Sequence, residues 1–519
     1  MGWHRERTVE ALGRGVFDVL VIGGGIIGAR VAFDAARAGL SVALVDAGDF
    51  GGETSGASAR LVHGGLRYLG TGDFRLVRVA SSERNVLASR VAPHLVRPLP
   101  FVLSAAGGRR SRCAAGLLLY AALDGFRNPL PRFVTPEEAA LHVPPLCVRE
   151  PASHAVYYEA RTNDSRLALA TVTAAARCGA VVANHLRAVD LDLAPGRISR
   201  VSLRGREGEV TVRCRAVVNA TGPWLDLLRM IEDSCCEPVT RLSKGIHVVL
   251  RPDEQWRAGV AVSLEGGQHL YAVPCEDRIL LGTTEQEYHG DPAGVVAEPE
   301  DVSYLLGMAS YFLRPEMLRR ERVVSAFAGL RVLPRGEEET LHASRDHLLS
   351  VGPGGMVSVA GGKLTTHRRI ALDALRYLPD RVRPRRLSLS DAPLPGASPV
   401  RGRGPYSRLD SLTLAHLLHL YGSETSKLIE HSKLRDNALQ RIVPGAPDVW
   451  AQVYHAASEE WASTAEDVIY RRTTLGLRGF DTPEIRHKIS AVLESETGAG
   501  PPAPELSRRS LRAADTEYA

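Results

Sequence analysis

Three glycines and an aspartate are the first residues whose types and spacing imply chemistry. Gly23, Gly25 and Gly28 form a G-x-G-x-x-G pattern, and Asp46 follows downstream. The first glycine permits a tight turn, the second lets backbone N–H groups approach a pyrophosphate, and the third lets a helix pack closely on a strand. A carboxylate at Asp46 can accept hydrogen bonds from ribose hydroxyls. These residues predict a dinucleotide site.

The elements around these residues are those that such a site requires. Residues 17–22 are a short apolar run, typical of a buried parallel strand. Residues 27–39 are predicted as a helix with a stripe of small side chains, and residues 41–45 as the next strand. Strand, turn, helix and strand in this order predict a Rossmann-like unit at the start of an α/β protein.

Composition and charge are those of an ordinary soluble globular enzyme. The chain has 519 residues, of which 44% are hydrophobic and 24% charged, so it can form a large core. The net charge of +5 is slight for this length. It does not require a nucleic-acid partner, and we expect none, but it is compatible with contact to anionic lipid.

Cysteine usage and hydropathy favour a cytoplasmic protein. The seven cysteines are scattered without a C-x-x-C pair, which predicts reduced thiols and no metal site. We find no apolar run of about 18 residues that would predict a membrane span. The N-terminal residues lack the apolar segment of a secretory signal.

The chain divides by pattern into several parts. Alternating apolar stretches predict an antiparallel sheet inserted into the nucleotide-binding domain, at 181–182, 198–203, 210–212, 246–250, 260–263, 269–273 and 279–281. Residues 216–219 and 356–360 are predicted as late strands of the nucleotide-binding domain. The expected organisation is an extension (1–15), a discontinuous nucleotide-binding domain (16–385) with a cap sheet (roughly 90–210 and 225–330), a linker (386–405), a helical domain (406–497) and a loose tail (498–519).

Three features favour FAD over NAD as the dinucleotide. The unit lies near the start of a long chain. A hydroxyl-rich loop, residues 53–58, follows Asp46, so that Thr54, Ser55 and Ser58 can reach phosphates. The Ala220-Thr221-Gly222 turn suits backbone contact with an extended cofactor.

Several longer motifs carry a family resemblance. They are SARLVHGGLRYL (58–69), VVNATGPW (217–224), LSKGIHVVL (242–250), LLGTTEQEYHGDP (280–292), AGLRVL (328–333), SRD (344–346) and VSVAGGKLTTHR (357–368). In this order they resemble the FAD-dependent glycerol-3-phosphate dehydrogenases, within the D-amino-acid-oxidase-like flavoproteins. The similarity runs over almost the whole chain, into the helical segments 421–429 and 460–473.

The resemblance implies a fold, an activity and partners. The expected fold is a Rossmann-like FAD-binding domain with an inserted antiparallel-sheet substrate domain and a C-terminal all-helical domain. The expected reaction is oxidation of sn-glycerol 3-phosphate to dihydroxyacetone phosphate, with electrons passed to membrane quinone. It also implies a homodimer and peripheral contact with the inner face of the cell membrane, for which the basic segment 381–403 is a candidate.

The resemblance also assigns the catalytic residues. His63 is the expected proton acceptor, because a free imidazole has a pKa of about 6.5 and so suits a base at neutral pH. Arg331 is expected over the flavin, where a guanidinium that stays protonated stabilises a developing alkoxide. Arginine and lysine are the expected ligands of the substrate phosphate.

The remaining site residues follow from the same motifs. The expected substrate-binding residues are Arg67, Tyr68, Thr284, Arg345 and Lys363. The expected cofactor-binding residues are Gly23, Gly25, Gly28, Asp46, Thr54, Ser55, Ser58, Gly64, Ala220, Gly222, Gly362, Lys363, Leu364 and Thr365. Lys363 belongs to both sets, since it stands at a strand-to-helix turn that also suits the flavin pyrimidine.

Three positions depart from the family pattern. Arg60 stands where lysine is common, Val332 follows Arg331 in place of proline, and Cys275 replaces a common tryptophan. Arg60 keeps the charge but changes its geometry. The Cys275 change is expected to alter the pocket or the approach of quinone.

Four alternatives stay open at the level of sequence. An oxidase would use oxygen and produce hydrogen peroxide, and no motif reports the access of oxygen to a flavin. A related amine oxidase would need side chains that bind the carboxylate of an amino acid in place of those that bind a phosphate. A non-catalytic flavoprotein would keep the fold without turnover, and an NAD-linked dehydrogenase would turn over nicotinamide without bound flavin.

Overall fold

The structure is a computed structural model, and it describes residues 4–70, 72–106, 110–147, 152–194, 196–263, 269–335, 347–400, 405–497 and 510–512. The strands in these ranges are β1 Val16–Ile22, β2 Val42–Val45, β3 Leu61–Val62, β4 Arg97–Ala106, β5 Arg132–Val134, β6 Ala152–Arg161, β7 Val181–Ala183, β8 Arg187–Ala194, β9 Arg197–Gly205, β10 Gly208–Asn219, β11 Thr240–Leu250, β12 Gly259–Ser263, β13 His269–Cys275, β14 Arg278–Gly282, β15 Gln286–Tyr288, β16 Val323–Pro334, β17 His347–Val351, β18 Val357–Gly361 and β19 Ser510–Arg512.

The helices in the same ranges are α1 Arg5–Arg14, α2 Ile26–Arg37, α3 Phe74–Val86, α4 Arg110–Leu123, α5 Pro136–His142, α6 Asp164–Arg177, α7 Leu225–Glu232, α8 Pro299–Ala309, α9 His367–Arg376, α10 Ser411–Tyr421, α11 Thr425–Glu430, α12 Trp450–Glu459, α13 Ala465–Asp467, α14 Leu475–Arg478 and α15 Pro483–Thr497. Helix α5 begins with a capping box, in which the Thr135 side chain accepts the Glu138 N–H and the Glu138 side chain accepts the Thr135 N–H.

The first sheet carries the predicted Rossmann-like unit. Its strand order is β17-β18-β10-β1-β2-β7, and the strands from β18 to β7 pair in parallel. Helices α2, α6 and α9 pack on one face of this sheet, and α1 covers the other face with Leu12. In a parallel sheet the carboxyl ends of the strands share one edge. The turns after β1, β2, β10 and β18 therefore meet there, although they are distant in sequence.

The second sheet is the inserted one, and it is mostly antiparallel as predicted. Its order is β19-β16-β11-β14-β13-β12-β4-β6-β3. In the β11–β16 pair, Ser243 lies opposite Arg331, Gly245 opposite Gly329, and His247 opposite Phe327. Because alternate residues of a strand share a face, these side chains project from one face of the sheet.

The assignment of three predicted strands to the inserted sheet was wrong. The stretches at 181–182, 198–203 and 210–212 lie in β7, β9 and β10, which all belong to the first sheet. The strands β8, β9 and β10 form an antiparallel meander whose last strand continues into the parallel sheet. Alternation of apolar and polar residues indicates that one face of a strand is buried, but it does not indicate which sheet the strand joins.

The predicted linker is packed where the structure describes it. The Ser390 carbonyl accepts hydrogen bonds from the guanidinium groups of Arg30 and Arg368, each at 2.8 Å. Leu394 is buried in the apolar core beside the first sheet, and Leu387 and Ala392 pack against the same core. The hydrogen bonds from these two arginines hold a segment rich in proline and glycine against the rest of the protein.

The last parts of the chain are the helical domain and the tail. Helices α10–α15 enclose apolar clusters of their own, which confirms the C-terminal helical domain. Strand β19 pairs with β16 at residues 325–327, so the tail is not loose over β19, and its other residues lie outside the described ranges. All seven cysteines are free thiols. In the described part of the chain, every helix is too short or too polar to span a bilayer.

Candidate active site

A cavity of about 1600 Å³ lies between the carboxyl edge of the first sheet and one face of the second. Its walls come from segments that are widely separated in sequence. The predicted site residues that line it are Gly23, Gly25, Asp46, Thr54, Ser55, Ser58, His63, Arg67, Tyr68, Ala220, Gly222, Thr284, Arg331, Gly362, Lys363, Leu364 and Thr365. The fold thus brings nearly all predicted residues around one space.

The glycine turn after β1 forms one end of the cavity. Gly23 has a φ of 105°, a left-handed conformation that a side chain would strain. A Cβ atom on Gly28 would approach the Gly23 carbonyl oxygen to less than 3.0 Å. Gly28 therefore serves the packing of α2 against β1 and does not line the cavity.

Asp46 is held at the end of β2 by backbone donors. Its carboxylate accepts hydrogen bonds from the N–H groups of Gly24 at 2.6 Å and Gly48 at 2.8 Å. Desolvation raises the pKa of Asp46 above its ordinary value, against the lowering effect of these two bonds. The position suits an acceptor for ribose hydroxyls.

The hydroxyl-rich loop connects the two ends of the cavity. Ser55 Oγ accepts a hydrogen bond from the Ile26 N–H at 2.9 Å, at the N-terminus of α2. Thr54 Oγ1 donates to the Leu330 carbonyl at 2.7 Å, beside Arg331. Ser58 Oγ donates to Asp164 at 2.8 Å. The loop thus ties the glycine turn to β16.

This end of the cavity fits a dinucleotide. The N-terminus of α2 presents backbone N–H groups, which favour a pyrophosphate. A Cβ atom on Gly222 would meet no protein atom within 4 Å, so the backbone there borders open space. An acid for the ribose, a helix N-terminus for the phosphates and an open glycine turn are the set that such a ligand requires.

Arg331 marks the other end of the cavity. Its guanidinium donates to the Thr284 carbonyl at 3.0 Å and to Thr283 Oγ1 at 2.7 Å, and it lies 4.0 Å from a carboxylate oxygen of Glu285. A Cβ atom on Gly245 would approach both terminal nitrogens of the guanidinium to less than 3.0 Å. The glycine therefore leaves room for the Arg331 side chain to cross the sheet face.

Thr284 acts through Arg331 in this geometry. Its side-chain oxygen accepts a hydrogen bond from the Ile246 N–H at 3.1 Å, and its carbonyl receives Arg331. Thr284 is also buried. The structure places it as a support for the arginine as well as a residue that lines the cavity.

Two cations flank one tyrosine ring on the neighbouring wall. Lys363 Nζ lies 4.0 Å from the centroid of the Tyr68 ring, and the Arg67 guanidinium carbon lies 4.9 Å from it. Arg67 also donates to the Tyr68 hydroxyl at 2.9 Å. Burial lowers the pKa of Arg67, but nearby Tyr68, Tyr271 and Glu285 outweigh it and leave that pKa raised. This wall is suited to a multiply charged anion.

His63 lines the cavity beside these cations. Its carbonyl accepts a hydrogen bond from Thr365 Oγ1 at 3.3 Å, which joins β3 to the turn after β18. The next residue, Gly64, donates its N–H to Glu159 at 2.9 Å and does not line the cavity. A Cβ atom on Gly64 would approach Tyr120 Oη to less than 3.0 Å. The small size of Gly64 thus serves packing against Tyr120, and its contact with the cofactor stays a prediction.

Arg345 and the SRD motif fall within residues 336–346, outside the described ranges. The three departures from the family pattern take different positions. Val332 lines the cavity, whereas Arg60 lies 3.7 Å from Asp164 with a φ of 56°. Cys275 is buried in the second sheet, where desolvation raises the pKa of its thiol to about 11, and it does not line the cavity.

His247 is a cavity residue that sequence reasoning missed. It is 4% exposed and stacks on Phe327 with ring centroids 5.2 Å apart, and neither ring nitrogen has a hydrogen-bond partner among the described residues. Burial, followed by repulsion from Arg331 and Arg60, lowers its pKa to about 3. The signal was its place in the motif at 242–250, two residues after Gly245, but the pairing of β11 with β16 was needed to place it beside Arg331.

Comparisons with known proteins bear on the whole chain. Residues 18–368 match the model of the FAD dependent oxidoreductase family, and residues 389–499 match the C-terminal domain of alpha-glycerophosphate oxidase. The chain is 34% identical to glycerol-3-phosphate dehydrogenase 2 of Mycobacterium tuberculosis, covering 94% of this chain and 87% of that protein. It is 33% identical to glycerol-3-phosphate dehydrogenase of Pseudomonas aeruginosa, covering 93% and 96%.

Two solved structures of glycerol-phosphate enzymes have a fold similar to that of this chain. The glycerol-3-phosphate dehydrogenase of Bacillus halodurans complexed with FAD has a TM-score of 0.73 and 25% identity, covering 95% of this chain and 97% of that one. The L-alpha-glycerophosphate oxidase of Mycoplasma pneumoniae with FAD bound has a TM-score of 0.57 and 16% identity, covering 73% and 99%. The latter likeness supports the fold alone.

Proposed function

The chain belongs to the FAD-dependent glycerol-3-phosphate dehydrogenases, within the FAD dependent oxidoreductases, and from this premise we propose that it oxidises sn-glycerol 3-phosphate to dihydroxyacetone phosphate. When bound, FAD supplies the hydride acceptor for the C–H bond of the secondary alcohol. The protein must then hold the phosphate, take the hydroxyl proton and stabilise the developing alkoxide.

One observation carries the choice of substrate. Arg67 and Lys363 flank the Tyr68 ring in the same cavity that holds Arg331 and the glycine turn of the dinucleotide site. Cations gathered in a partly buried space repel each other, so an anionic ligand relieves an unfavourable charge arrangement. A phosphate dianion fits this wall better than a single carboxylate, which favours a phosphorylated alcohol over an amino acid.

The proposed roles follow from the positions of the side chains. Arg331 stays protonated, so it stabilises negative charge on the reacting oxygen and does not act as a base. His63 takes the hydroxyl proton. His247 stays neutral, because burial and the positive charges of Arg331 and Arg60 keep its pKa low, and it offers an uncharged hydrogen-bonding group at the cavity wall. Arg345 remains a proposed further ligand of the phosphate.

The cofactor-binding assignments made from the sequence stay part of this proposal. Residues of the glycine turn, Asp46 and the hydroxyl-rich loop bind the ADP half of FAD, while the turn after β18 borders the isoalloxazine. The glycine turns and the N-terminus of α2 at the cavity wall support this division.

We propose membrane quinone as the electron acceptor, with the protein a homodimer in the cytoplasm on the inner face of the membrane. The relatives are named dehydrogenases and not oxidases, which supports an electron acceptor other than oxygen. Oxygen is the second candidate, because the helical domain matches a model named for alpha-glycerophosphate oxidase. Comparing a short-chain quinone with oxygen as acceptor decides between them: hydrogen peroxide formed at the rate of substrate oxidation would overturn the quinone proposal.

A lysine substitution tests the choice of substrate. Lys363→Met keeps the length of the side chain and removes the charge, so we expect KM for sn-glycerol 3-phosphate to rise roughly 10- to 100-fold, the value of a charged hydrogen bond of about 1.5–3 kcal/mol. Lys427→Met, which alters an exposed lysine that pairs with Glu424, is the control and keeps the native KM. Flavin content is measured alongside. Native KM in Lys363→Met with full flavin would contradict the phosphate role of this residue.

A further inference from the structure

The loop that follows β2 joins the dinucleotide site to the helical domain. We define the ribose loop as residues 46–51. It starts at Asp46, whose carboxylate accepts the Gly24 N–H, and it ends where the Gly51 N–H donates to the Gly24 carbonyl at 3.1 Å. The ribose loop thus contacts the glycine turn at both of its ends.

Phe50 presses the ribose loop against the glycine turn. Its side chain is fully buried. A Cβ atom on Gly24 would approach Phe50 Cδ1 to less than 3.0 Å, so the ring lies directly on the backbone of the turn. A shift of Phe50 would therefore move the backbone that receives the pyrophosphate.

Asp49, the residue before Phe50, is bound by two arginines of the helical domain. Its carboxylate accepts hydrogen bonds from Arg472 at 2.9 Å and from Arg471 Nε. It also accepts the Asn184 side chain at 2.9 Å, and that side chain donates a second bond to the Trp461 carbonyl at 2.9 Å. Asp49, Arg471 and Arg472 are all buried. A buried carboxylate depends on such partners, so this contact fixes the position of the loop.

Trp461 supplies an apolar contact to the same loop. Its ring meets Phe50 edge to face, with centroids 5.6 Å apart. The Arg471 guanidinium is itself held by Asp467 at 2.7 Å, within the helical domain. The ring contact and the ion pairs thus meet the ribose loop at neighbouring residues.

The helical domain also forms part of the cavity wall. Glu466 and Arg471 line the cavity together with Asp46 and Asp49. These residues come from opposite ends of the chain. The wall beside the proposed ribose site is therefore incomplete without the helical domain.

We propose that the C-terminal helical domain retains FAD, because Trp461, Arg471 and Arg472 clamp the ribose loop through Phe50 and Asp49. The clamp holds Asp46 and Gly24 in the geometry that the ADP half of the cofactor requires. This role concerns the binding of FAD and not the oxidation of substrate. The helical domain thus serves the binding of the cofactor and not the reacting end of the cavity.

The test uses the full chain and measures FAD affinity. Trp461→Leu removes the ring contact with Phe50, and Arg471→Gln removes one ion pair to Asp49. Arg478→Gln is the matched control, because Arg478 is also a buried arginine of the helical domain. Its ion pair joins it to Asp277, between β13 and β14 of the second sheet, and not to the ribose loop. The dissociation constant of FAD is measured by titrating each apoprotein, with urea unfolding of the apoprotein as a second readout.

We expect FAD to bind at least fivefold more weakly to one or both clamp variants than to the native protein, and within twofold of native in Arg478→Gln. A change below fivefold in both clamp variants would overturn the proposal. So would equal weakening in the control, because the effect would then follow general loss of stability. Should neither clamp variant fold, Asn184→Ala, which removes one donor to Asp49, carries the same test. Substrate turnover does not enter these readouts, so the proposed reaction stands or falls separately.

Discussion

Arg331 shows how neighbouring residues set the chemistry of one side chain. Its guanidinium is oriented by Thr283 and by the Thr284 carbonyl, with Glu285 close by. Gly245 leaves the space that the side chain crosses. In the proposed reaction, a fixed cation of this kind stabilises the alkoxide without reorganising.

Replacing Arg331 should separate cofactor binding from catalysis. Arg331→Ala is expected to keep its FAD, because the arginine contacts the turn at residues 283–285 and not the glycine turn. The rate of flavin reduction is expected to fall roughly 100- to 1000-fold, the loss typical of removing one donor to a developing oxyanion. Stopped-flow absorbance measures this rate, with Arg331→Lys as the variant that keeps the charge. Near-native reduction by Arg331→Ala would refute its placement.

His63 and His247, two of the histidines that line the cavity, should differ in their pH dependence. The pKa of His247 is about 3, so this residue stays neutral from pH 5 to pH 9 and gives no titration there. We expect the rate of flavin reduction to rise with pH across the neutral range. This rise, the ascending limb of the pH profile, is expected to vanish in His63→Ala. His247→Gln should lower the rate but keep the limb. A limb that persists in His63→Ala would exclude His63 as the base.

At the scale of elements, the turn between β3 and α3 depends on strand β6. Glu159 of β6 accepts the Gly64 N–H at 2.9 Å and the Tyr120 hydroxyl at 2.6 Å, and it pairs with Arg84. All three side chains are buried. The segment that carries His63 is thus anchored from behind by a satisfied polar network.

A methyl group on Gly64 should move this segment. In Gly64→Ala the new Cβ atom would collide with Tyr120 Oη and Ser81 Oγ, so the turn must shift toward the cavity. We expect the rate of flavin reduction to fall at least tenfold, since small displacements of His63, the proposed base, would slow the reaction. Gly116→Ala, on α4 where no atom lies within 4 Å of the added Cβ, is the control with a native rate. Equal rates in the two variants would contradict the anchoring role of Gly64.

The sequence predicted the elements whose signals are local. The glycine spacing and the apolar run predicted β1, α2 and β2 to within about a residue or two, because each signal lies within its own element. The pairing of β7, β9 and β10 depends on distant partners, and there the prediction failed. The packing around Gly64 and the place of His247 in the cavity could not be read from the sequence for the same reason, since Tyr120, Glu159 and Phe327 come from elsewhere in the chain.

The residues around the cavity were predicted better than their contacts. His63, Arg67, Arg331 and Lys363 were found because their motifs carry a family resemblance. Thr284 was expected to face the phosphate, whereas its side chain and carbonyl also support β11 and Arg331. A motif reports which residue stands at a position, but the hydrogen bonds of that residue depend on the tertiary structure.

At the scale of the whole molecule, buried histidines should make stability depend on pH. Burial is the first cause that lowers the pKa to about 3 or 4 at His94, His247, His367, His419 and His455. In the unfolded chain a histidine has a pKa of about 6.5, so below that pH the unfolded state binds more protons than the folded state. Stability is therefore expected to fall as pH decreases from about 6.5 toward 4.

Urea unfolding measures this effect. At pH 5.5 each such histidine is protonated in the unfolded chain but neutral in the folded protein. This difference should lower the free energy of unfolding by about 1.4 kcal/mol per histidine, compared with a pH at which the histidine is neutral in both states. The urea midpoint is thus expected to drop clearly between pH 7.5 and pH 5.5, and His455→Gln should show a smaller drop. A midpoint that is constant or rises over this range would contradict the buried, neutral state of these residues.

The direct test of the proposed reaction is anaerobic mixing of the FAD-loaded protein with sn-glycerol 3-phosphate while the visible absorbance of the flavin is followed. We expect that the oxidised flavin band bleaches with sn-glycerol 3-phosphate and stays unchanged with glycerol at the same concentration. A flavin that remains oxidised with both compounds, or a folded protein that takes up no FAD, would contradict it.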